Sequence, residues 1–216
     1  MRVLIIGANG MLGHKLYQVL GPDFDVHGTI RGDISSISGY DFFDTARITA
    51  SVNVTDTPKV AAVIESIKPD AVINAAGVVK SRETEAGVFE NRRVNAMFPH
   101  ELYGICSPRQ IRIIHLSTDC VFSGKAGNYT ENDPSDAEDT YGKTKFMGEI
   151  SGEGALTIRT SMIGRELGNR RGLLEWFLAN RGGTVTGYTT AIFSGFPTLH
   201  LARIIGDVLK NHAGLS

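Results

Sequence analysis

Short apolar runs alternate along the chain with longer segments whose apolar residues recur every three or four positions. The run at residues 3–6 is continuously apolar, which is typical of a strand buried on both faces of a parallel sheet. Helical spacing follows it up to Gly21 and Pro22, which end the predicted helix. The pattern predicts strands at residues 3–6, 24–29, 48–54, 71–73, 111–117 and 156–158, and helices at 11–20, 56–67, 85–106, 140–150, 172–179 and 197–209. Because strands and helices alternate, we expect an α/β fold of the Rossmann type, with a doubly wound parallel sheet.

The remaining segments are polar or weakly patterned. Residues 32–45 and 124–139 are predicted as loops, and Pro99 is expected to break the helix that contains it. The helix at 172–179 should bury one apolar face, and residues 185–193 alternate weakly, as a strand would.

We expect two units in this chain. Residues 1–165 are predicted to form a cofactor-binding Rossmann domain. Residues 166–216 are predicted to begin a small C-terminal substrate-binding domain, of which only part is present.

Composition excludes several classes of protein. A formal net charge of -1 gives no field for nucleic acid or an anionic membrane. Cys106 and Cys120 are too few for a disulfide framework, so reduced thiols in the cytoplasm are expected. The apolar run at residues 3–6 is too short for a signal peptide, and no run approaches the ~18 apolar residues of a membrane span.

Three glycines follow the first predicted strand. Gly7, Gly10 and Gly13 stand at the turn between that strand and the next helix. Such a turn lets backbone amides and a helix N-terminus approach a pyrophosphate. The segment therefore predicts a dinucleotide-binding loop; the alternative is a tight turn without a ligand.

The end of the second predicted strand bears on the choice of cofactor. An acidic residue there would bind the adenosine ribose and disfavour a 2′-phosphate. This chain has no acid until Asp33, whereas Arg31 can pair with a phosphate through its guanidinium. We therefore predict NADP in preference to NAD; the alternative is a solvated Arg31.

A tyrosine and a lysine stand four residues apart in the helix predicted at 140–150. Tyr141 and Lys145 would share one helix face. A nearby ammonium should lower the pKa of the tyrosine from ~10 and make it a usable general acid or base. Thr118 follows the fifth predicted strand, and the carboxyl edge of a parallel sheet would bring it close to Tyr141.

These motifs together resemble the extended branch of the short-chain dehydrogenase/reductase superfamily. The similarity is greatest to the dTDP-4-dehydrorhamnose reductase family, with its Gly-x-x-Gly-x-x-Gly loop and its Ser-Thr-Asp-x-Val-Phe-x-Gly motif. Residues 117–124 read Ser-Thr-Asp-Cys-Val-Phe-Ser-Gly. The resemblance covers residues 1–165 well and is looser beyond. Extended members usually continue further, so part of the substrate pocket is expected to be absent.

The resemblance implies NADPH-dependent reduction of a keto group on a nucleotide-linked deoxysugar. Tyr141 would give a proton to the carbonyl oxygen, Thr118 would hydrogen-bond that oxygen, and Lys145 would hold the nicotinamide ribose. The preferred cofactor is NADP(H), and NAD(H) is possible. Besides Tyr141 and Lys145, the cofactor would contact Gly7, Asn9, Gly10, Met11, Leu12, Gly13, Arg31, Asn53, Val54, Ala75, Ala76 and Gly77.

Other residues receive weaker assignments from the same resemblance. Asn95 would stabilise the active-site strand, and Arg159 would lie in a turn beside the nicotinamide. Lys80 and Arg82 would meet an anionic substrate or remain solvated. Family members often form homodimers, and no metal is implied.

Cys120 and Asp119 are candidates for a substrate contact or a second acid/base, and Cys120 keeps a second reaction open. In related 4,6-dehydratases a Glu follows the Thr-Asp pair, so Cys120, next to Asp119, argues against dehydration. In epimerase-reductases of the GDP-fucose synthase type a Cys at this position exchanges protons, but the His that they also need is missing from residues 162–180. An inert Cys120 is the alternative.

A third hypothesis is that the protein binds NADP without catalysing a reaction. The NADP-binding regulatory subunit of methionine adenosyltransferase is a relative with the same fold and loop. The presence of Thr118, Tyr141 and Lys145 favours an enzyme.

Overall fold

The structure, a computed structural model, describes residues 1–78, 85–168 and 172–215. Its centre is a six-stranded sheet with the order β3-β2-β1-β4-β5-β6, in which every neighbouring pair is parallel. The strands are β1 (Arg2–Ile6), β2 (Asp25–Thr29), β3 (Ile48–Thr49), β4 (Ala71–Asn74), β5 (Arg112–Leu116) and β6 (Ala155–Ile158). The predicted doubly wound Rossmann-type sheet is confirmed.

Both faces of the sheet are buried, as the continuous apolar runs predict. Successive residues of a strand point to opposite faces. Val3 and Ile5 of β1 lie in one core cluster, and Leu4 and Ile6 lie in the other.

Helices cover the two faces. They are α1 (Gly13–Leu20), α2 (Thr57–Ile67), α3 (Glu85–Asn91), α4 (Phe98–Cys106), α5 (Thr140–Met147), α6 (Leu173–Ala179) and α7 (Thr198–Asn211). Apolar side chains of α1 and α7 pack on one face, and those of α2 and α4 pack on the other. Residues 197–209 are predicted to belong to the C-terminal unit, whereas α7 packs against the sheet as part of its core. The boundary at residue 165 stays a prediction.

One strand prediction and one loop prediction need correction beside β2 and β3. The third strand, predicted at 48–54, is only two residues long, and Ser51 has a φ of 56°, which ends the extended conformation. Residues 32–45, predicted as a loop, contain a 3₁₀ helix, Ile34–Ile37, and the start of another, Thr45–Arg47. Asp33 and Asp44 cap these two turns by accepting from backbone amides.

The predicted helix at 85–106 is continuous through a π-helical segment, Arg92–Met97, rather than broken at Pro99. Pro99 lies in the first turn of α4, directly after the π-helical segment. In the π-helical turn the Phe98 amide donates to Arg93 O, five residues back.

The segment after β6 departs furthest from prediction. Met162–Ile163 (β7) pairs in parallel with Phe196–Pro197 (β8), and the predicted strand at 185–193 does not form. The helix α6 forms, but the prediction of a buried apolar face is wrong, because Leu173, Trp176 and Phe177 are exposed. Its buried residue is Glu175, which pairs with Arg165 Nε at 2.5 Å.

Candidate active site

The glycine loop joins the carboxyl end of β1 to the start of α1. Gly7 has a φ of 86°, which favours glycine, and the amides of Gly7 and Ala8 both donate to Thr29 O of β2. Gly13 packs so closely on the loop that a Cβ there would lie 2.0 Å from Gly7 O. The loop therefore turns tightly enough to leave the N-terminus of α1 at the carboxyl edge of the sheet.

The turn after β4 lies against this loop. A Cβ on Gly7 would come within 3.2 Å of Ala76 N. Asn74 fixes the turn, because its Oδ1 accepts from Ala76 N at 3.3 Å while its Nδ2 lies 3.1 Å from His115 Nδ1. Of the predicted cofactor-lining residues, Ala75 and Ala76 thus lie beside Gly7, between β1 and β4, where the strand order reverses, whereas a Cβ on Gly77 would lie 3.5 Å from Asn95 Oδ1.

Two further predicted contacts lie on the β2 and β3 side of the same edge. Asn53 and Val54 follow β3, and Asn53 Oδ1 accepts from Thr55 N at 3.1 Å. Arg31 follows β2, and its side chain is 77% exposed and lies 3.3 Å from Glu90. An exposed ion pair of this kind contributes little energy, so Arg31 can exchange Glu90 for another anion.

A 3₁₀ turn, Asp119–Val121, begins directly after β5 and carries the Ser-Thr-Asp-Cys motif. Thr118 caps this turn by accepting from Cys120 N at 3.2 Å, and it is buried. Asp119 Oδ1 accepts from Ser161 Oγ at 2.5 Å, which ties the turn to the segment after β6.

The helix α5 brings the predicted tyrosine and lysine to the same place. Asp139 caps α5, and its Oδ1 accepts from Gly142 N at 2.7 Å. Two glycines set how closely α5 approaches its neighbours: a Cβ on Gly142 would lie 2.2 Å from Cys120 O, and a Cβ on Gly148 would lie 1.8 Å from Asn95 O. These close approaches place Tyr141 against the turn that carries Cys120, and Thr118 is close enough to affect the pKa of Tyr141.

The electrostatics of the pair differ from prediction. Burial raises the pKa of Tyr141, and the nearby Cys120, Asp119 and Asp139 act in the same direction, although the Thr118 hydroxyl acts in the opposite direction. The predicted lowering by Lys145 is wrong for this state of the protein. Lys145 is buried, its Nζ donates to Leu116 O at 2.5 Å, and burial lowers the pKa of Lys145 to about 8. The spacing of Tyr141 and Lys145 predicted a shared helix face, but it did not predict that the Lys145 ammonium donates to the carbonyl of Leu116.

The two cysteines lie in different surroundings. Cys106 is buried in the core, and burial raises the pKa of its thiol to about 12, which makes it unreactive. Cys120 is half-buried in the turn beside Tyr141, and its role stays open.

Asn95 holds the chain after β4. Its Oδ1 accepts from Val78 N and its Nδ2 donates to Val78 O, both at 2.9 Å. The strand that leads into this contact is β4, next to the strand that carries Thr118.

Sequence reasoning missed a group that orients the glycine loop. His14 Nδ1 lies 2.8 Å from Gly10 O, and burial lowers the pKa of His14, so the neutral ring is the donor. A peptide carbonyl and the next amide point in opposite directions, so this bond turns the Met11 amide away from the helix. The i to i+4 spacing of Gly10 and His14 was the available signal.

Lys80 and Arg82 lie outside the described residues. Within the described ranges, no helix is both long enough and apolar enough to cross a bilayer. In the same ranges, no three His, Cys, Asp or Glu side chains converge in the manner of metal ligands.

The chain resembles known proteins over most of its length. The family model described as "RmlD substrate binding domain" matches residues 1–211. A dTDP-4-keto-6-deoxy-D-glucose reductase of Streptomyces niveus is 33% identical over 150 residues, covering 68% of this chain and 46% of the relative. The β subunit of methionine adenosyltransferase 2 of Danio rerio is 32% identical over 157 residues, covering 68% and 42%. The chain thus spans about half the length of these curated relatives.

Solved structures share its fold. A hypothetical dTDP-4-dehydrorhamnose reductase from Sulfolobus tokodaii matches with a TM-score of 0.82 at 27% identity, covering 100% of this chain and 74% of that one. A dTDP-4-dehydrorhamnose reductase from Bacillus anthracis in complex with NADP has a TM-score of 0.80 at 22% identity, with coverage of 100% and 72%.

Proposed function

The chain belongs to the RmlD substrate binding domain family, and from that premise we propose that it uses NADPH to reduce a keto group on a nucleotide-linked deoxysugar. The observation that carries this proposal is the meeting of Thr118, Tyr141 and Lys145 at the carboxyl end of β5. This is the edge where the glycine loop also ends, so a dinucleotide and a reacting carbonyl can lie side by side.

The residues of the loop fit a dinucleotide. Side chains are absent at Gly7, Gly10 and Gly13, so the backbone of the loop can approach a pyrophosphate closely. The N-terminus of α1 and the Met11 amide would face the phosphates, the turn at Ala75 and Ala76 would line the nicotinamide half, and Arg31 would meet a 2′-phosphate. Bound NADPH would supply the hydride.

The protein's own groups would handle the proton and the developing charge. A raised pKa keeps Tyr141 protonated at neutral pH, which is the form that donates a proton to a carbonyl oxygen. Thr118, which lies beside Tyr141, would donate to the same oxygen as negative charge develops there. Lys145, whose ammonium lies at the end of β5, would bind the ribose hydroxyls and stabilise the tyrosinate left after proton transfer.

Replacing one atom tests the role of Tyr141. The variant Tyr141→Phe should lower kcat by roughly 10²-fold or more and leave the Kd for NADPH within about twofold, because only the proton donor is lost. The measurement is NADPH absorbance with a keto sugar substrate, beside calorimetric titration of NADPH. Unchanged turnover would remove Tyr141 from the mechanism.

A non-catalytic NADP-binding subunit is the second candidate, favoured by the likeness to the methionine adenosyltransferase β subunit. Tight NADPH binding without turnover of any keto sugar, together with copurification of a synthetase, would select this function.

Epimerisation is a third outcome, since Cys120 lies in the turn beside Tyr141. Incubation in deuterated water separates the reactions: simple reduction leaves the sugar carbons beside the keto group unlabelled, whereas epimerisation adds deuterium there, read by mass.

The homodimer implied by the resemblance also remains a proposal. Size-exclusion chromatography with light scattering tests it. A mass near twice 23.3 kDa would support the dimer, and 23.3 kDa would contradict it.

A further inference from the structure

A network of charged side chains ties the end of α5 to the ends of β5 and β6. Glu149 accepts from Ser117 Oγ at 2.7 Å, and it also accepts from Arg159 in a bidentate pair with distances of 2.9 Å and 2.8 Å. The Glu149 and Arg159 side chains are only 14% and 21% exposed. Such a largely buried, forked pair is stronger and more fixed in geometry than a surface ion pair.

Aromatic rings and a carbonyl hold Arg159 from other sides. Its guanidinium lies 5.1 Å from the Phe122 ring centre and 5.9 Å from that of Phe146, and Nη1 donates to Glu131 O at 3.3 Å. The charge of Arg159 therefore has a defined position relative to Glu149.

The network lies close to the lysine of the proposed active site, just beyond the end of α5. Lys145 and Glu149 are four residues apart, and they contact adjacent residues of the chain: Lys145 Nζ donates to Leu116 O, and Glu149 accepts from Ser117 Oγ. Burial lowers the pKa of Lys145, and the Glu149 carboxylate acts in the opposite direction. The Glu149 carboxylate is therefore held at the residue next to the one that accepts from the Lys145 ammonium.

We propose that Glu149 and Arg159 are positioning residues that together set the charge on Lys145 at the end of β5. Glu149 favours the ammonium form of Lys145. Arg159 fixes the carboxylate and partly offsets its negative charge, so that the ammonium remains able to lose and regain a proton near neutral pH. The inference rests on the proposed function, in which Lys145 acts on the cofactor and on Tyr141.

The other titratable groups around Lys145 remain in place in the variants that test this. They are Tyr141 on the same helix, His115 on β5, which is affected by the Lys145 charge, and His100 on α4, which in turn affects His115 and whose Nε2 lies 2.8 Å from Met147 O. Because they are common to every variant, differences between variants report the Glu149 and Arg159 charges.

Two substitutions should act in opposite directions. Glu149→Gln removes the favourable carboxylate and leaves Arg159 uncompensated, so the titration midpoint of Lys145 should fall by roughly one pH unit. Arg159→Gln leaves Glu149 uncompensated, so the midpoint should rise by a similar amount. The conservative Arg159→Lys should stay near wild type because the charge is kept.

The midpoint is measured by NMR on the lysine Cε signals of the ¹³C-labelled chain, with Lys145 assigned from a Lys145→Arg variant. Asp25→Asn is the matched control, since Asp25 pairs with Arg2 and Arg47 at the opposite edge of the sheet. Opposite shifts with an unmoved control support the inference. Shifts in the same direction, or none, overturn it, because a purely structural network has no reason to respond to the sign of the charge.

Two additional measurements ensure that the experiment can contradict the inference. Far-UV circular dichroism checks folding, and if Glu149→Gln fails to fold, the absence of an upward shift in Arg159→Gln is enough to overturn the inference. NADPH oxidation measured across pH on the same variants separates the two proposals. Opposite NMR shifts without sugar reduction contradict the proposed function alone, whereas sugar reduction without those shifts contradicts the inference alone.

Discussion

A single methyl group at Gly13 should both destabilise the fold and disable the cofactor loop. The Cβ of an alanine there would lie 2.0 Å from Gly7 O, 2.9 Å from Gly7 C and 3.0 Å from Ala8 Cα. All three neighbours are backbone atoms, so no side-chain rotation relieves the overlap. The loop would have to move by more than about 1 Å to restore an ordinary carbon–oxygen contact of about 3.5 Å.

The size of the effect follows from two opposing contributions. Overpacking of this kind costs about 3 kcal/mol, and the better helix propensity of alanine returns about 1 kcal/mol. A net loss of about 2 kcal/mol lowers Tm by roughly 4–8 °C in a chain of this size. Displacing the loop should also weaken NADPH binding by about tenfold or more, which corresponds to about 1.4 kcal/mol.

A second glycine provides the control. Gly104 is exposed inside α4, and a Cβ there meets nothing within 4 Å. Gly104→Ala should therefore raise Tm by about 2–4 °C through helix propensity alone and leave NADPH binding unchanged. Thermal melts and calorimetric titrations of both variants make the comparison. If Gly13→Ala were as stable as Gly104→Ala, the close approach of Gly13 to Gly7 would be refuted.

Two further predictions concern the cofactor and pH. Arg31→Ala should weaken NADPH binding by roughly 10–100-fold and leave NADH binding unchanged, because a charge-assisted hydrogen bond to the 2′-phosphate is worth about 1.5–3 kcal/mol; equal losses for both cofactors would exclude that contact. Burial, helped by the Lys145 charge, lowers the pKa of His115 well below its usual 6.5, so the unfolded chain binds a proton that the folded chain does not. The contribution of neutral His115 to the free energy of unfolding is therefore fully present above about pH 6.5, and below that pH it should fall by up to about 1.4 kcal/mol per pH unit. Urea unfolding at pH 5 and pH 7 should show a smaller difference in unfolding free energy in His115→Gln than in the wild type. An unchanged difference would exclude His115 as the cause.

The sequence predicted the sheet because its strands are apolar on both faces. In β1 and β4 every residue near the centre must be buried, so the pattern is continuous and easily located. The strand β3 was predicted too long, since nothing local marks Ser51 as adopting a positive φ. For α6, helical spacing predicted the helix correctly, but spacing does not reveal what lies against each face.

The sequence predicted which residues form the candidate site, but it did not predict which charged and polar groups they contact. Thr118 and Tyr141 meet as expected, because strand ends in a parallel sheet share one edge. The direction of the Lys145 ammonium depends on the Leu116 carbonyl, which lies on another element. The pairing of Glu149 with Arg159 likewise joins residues from separate elements, and no local pattern reports it.

NADPH consumption with a panel of dTDP-, UDP- and GDP-linked 4-keto-6-deoxysugars, followed by cofactor absorbance, tests the proposed reductase activity most directly. We expect consumption with at least one member of the panel and its loss in Tyr141→Phe. Tight NADPH binding with no consumption on any member would contradict a reductase and leave an NADP-binding module in its place.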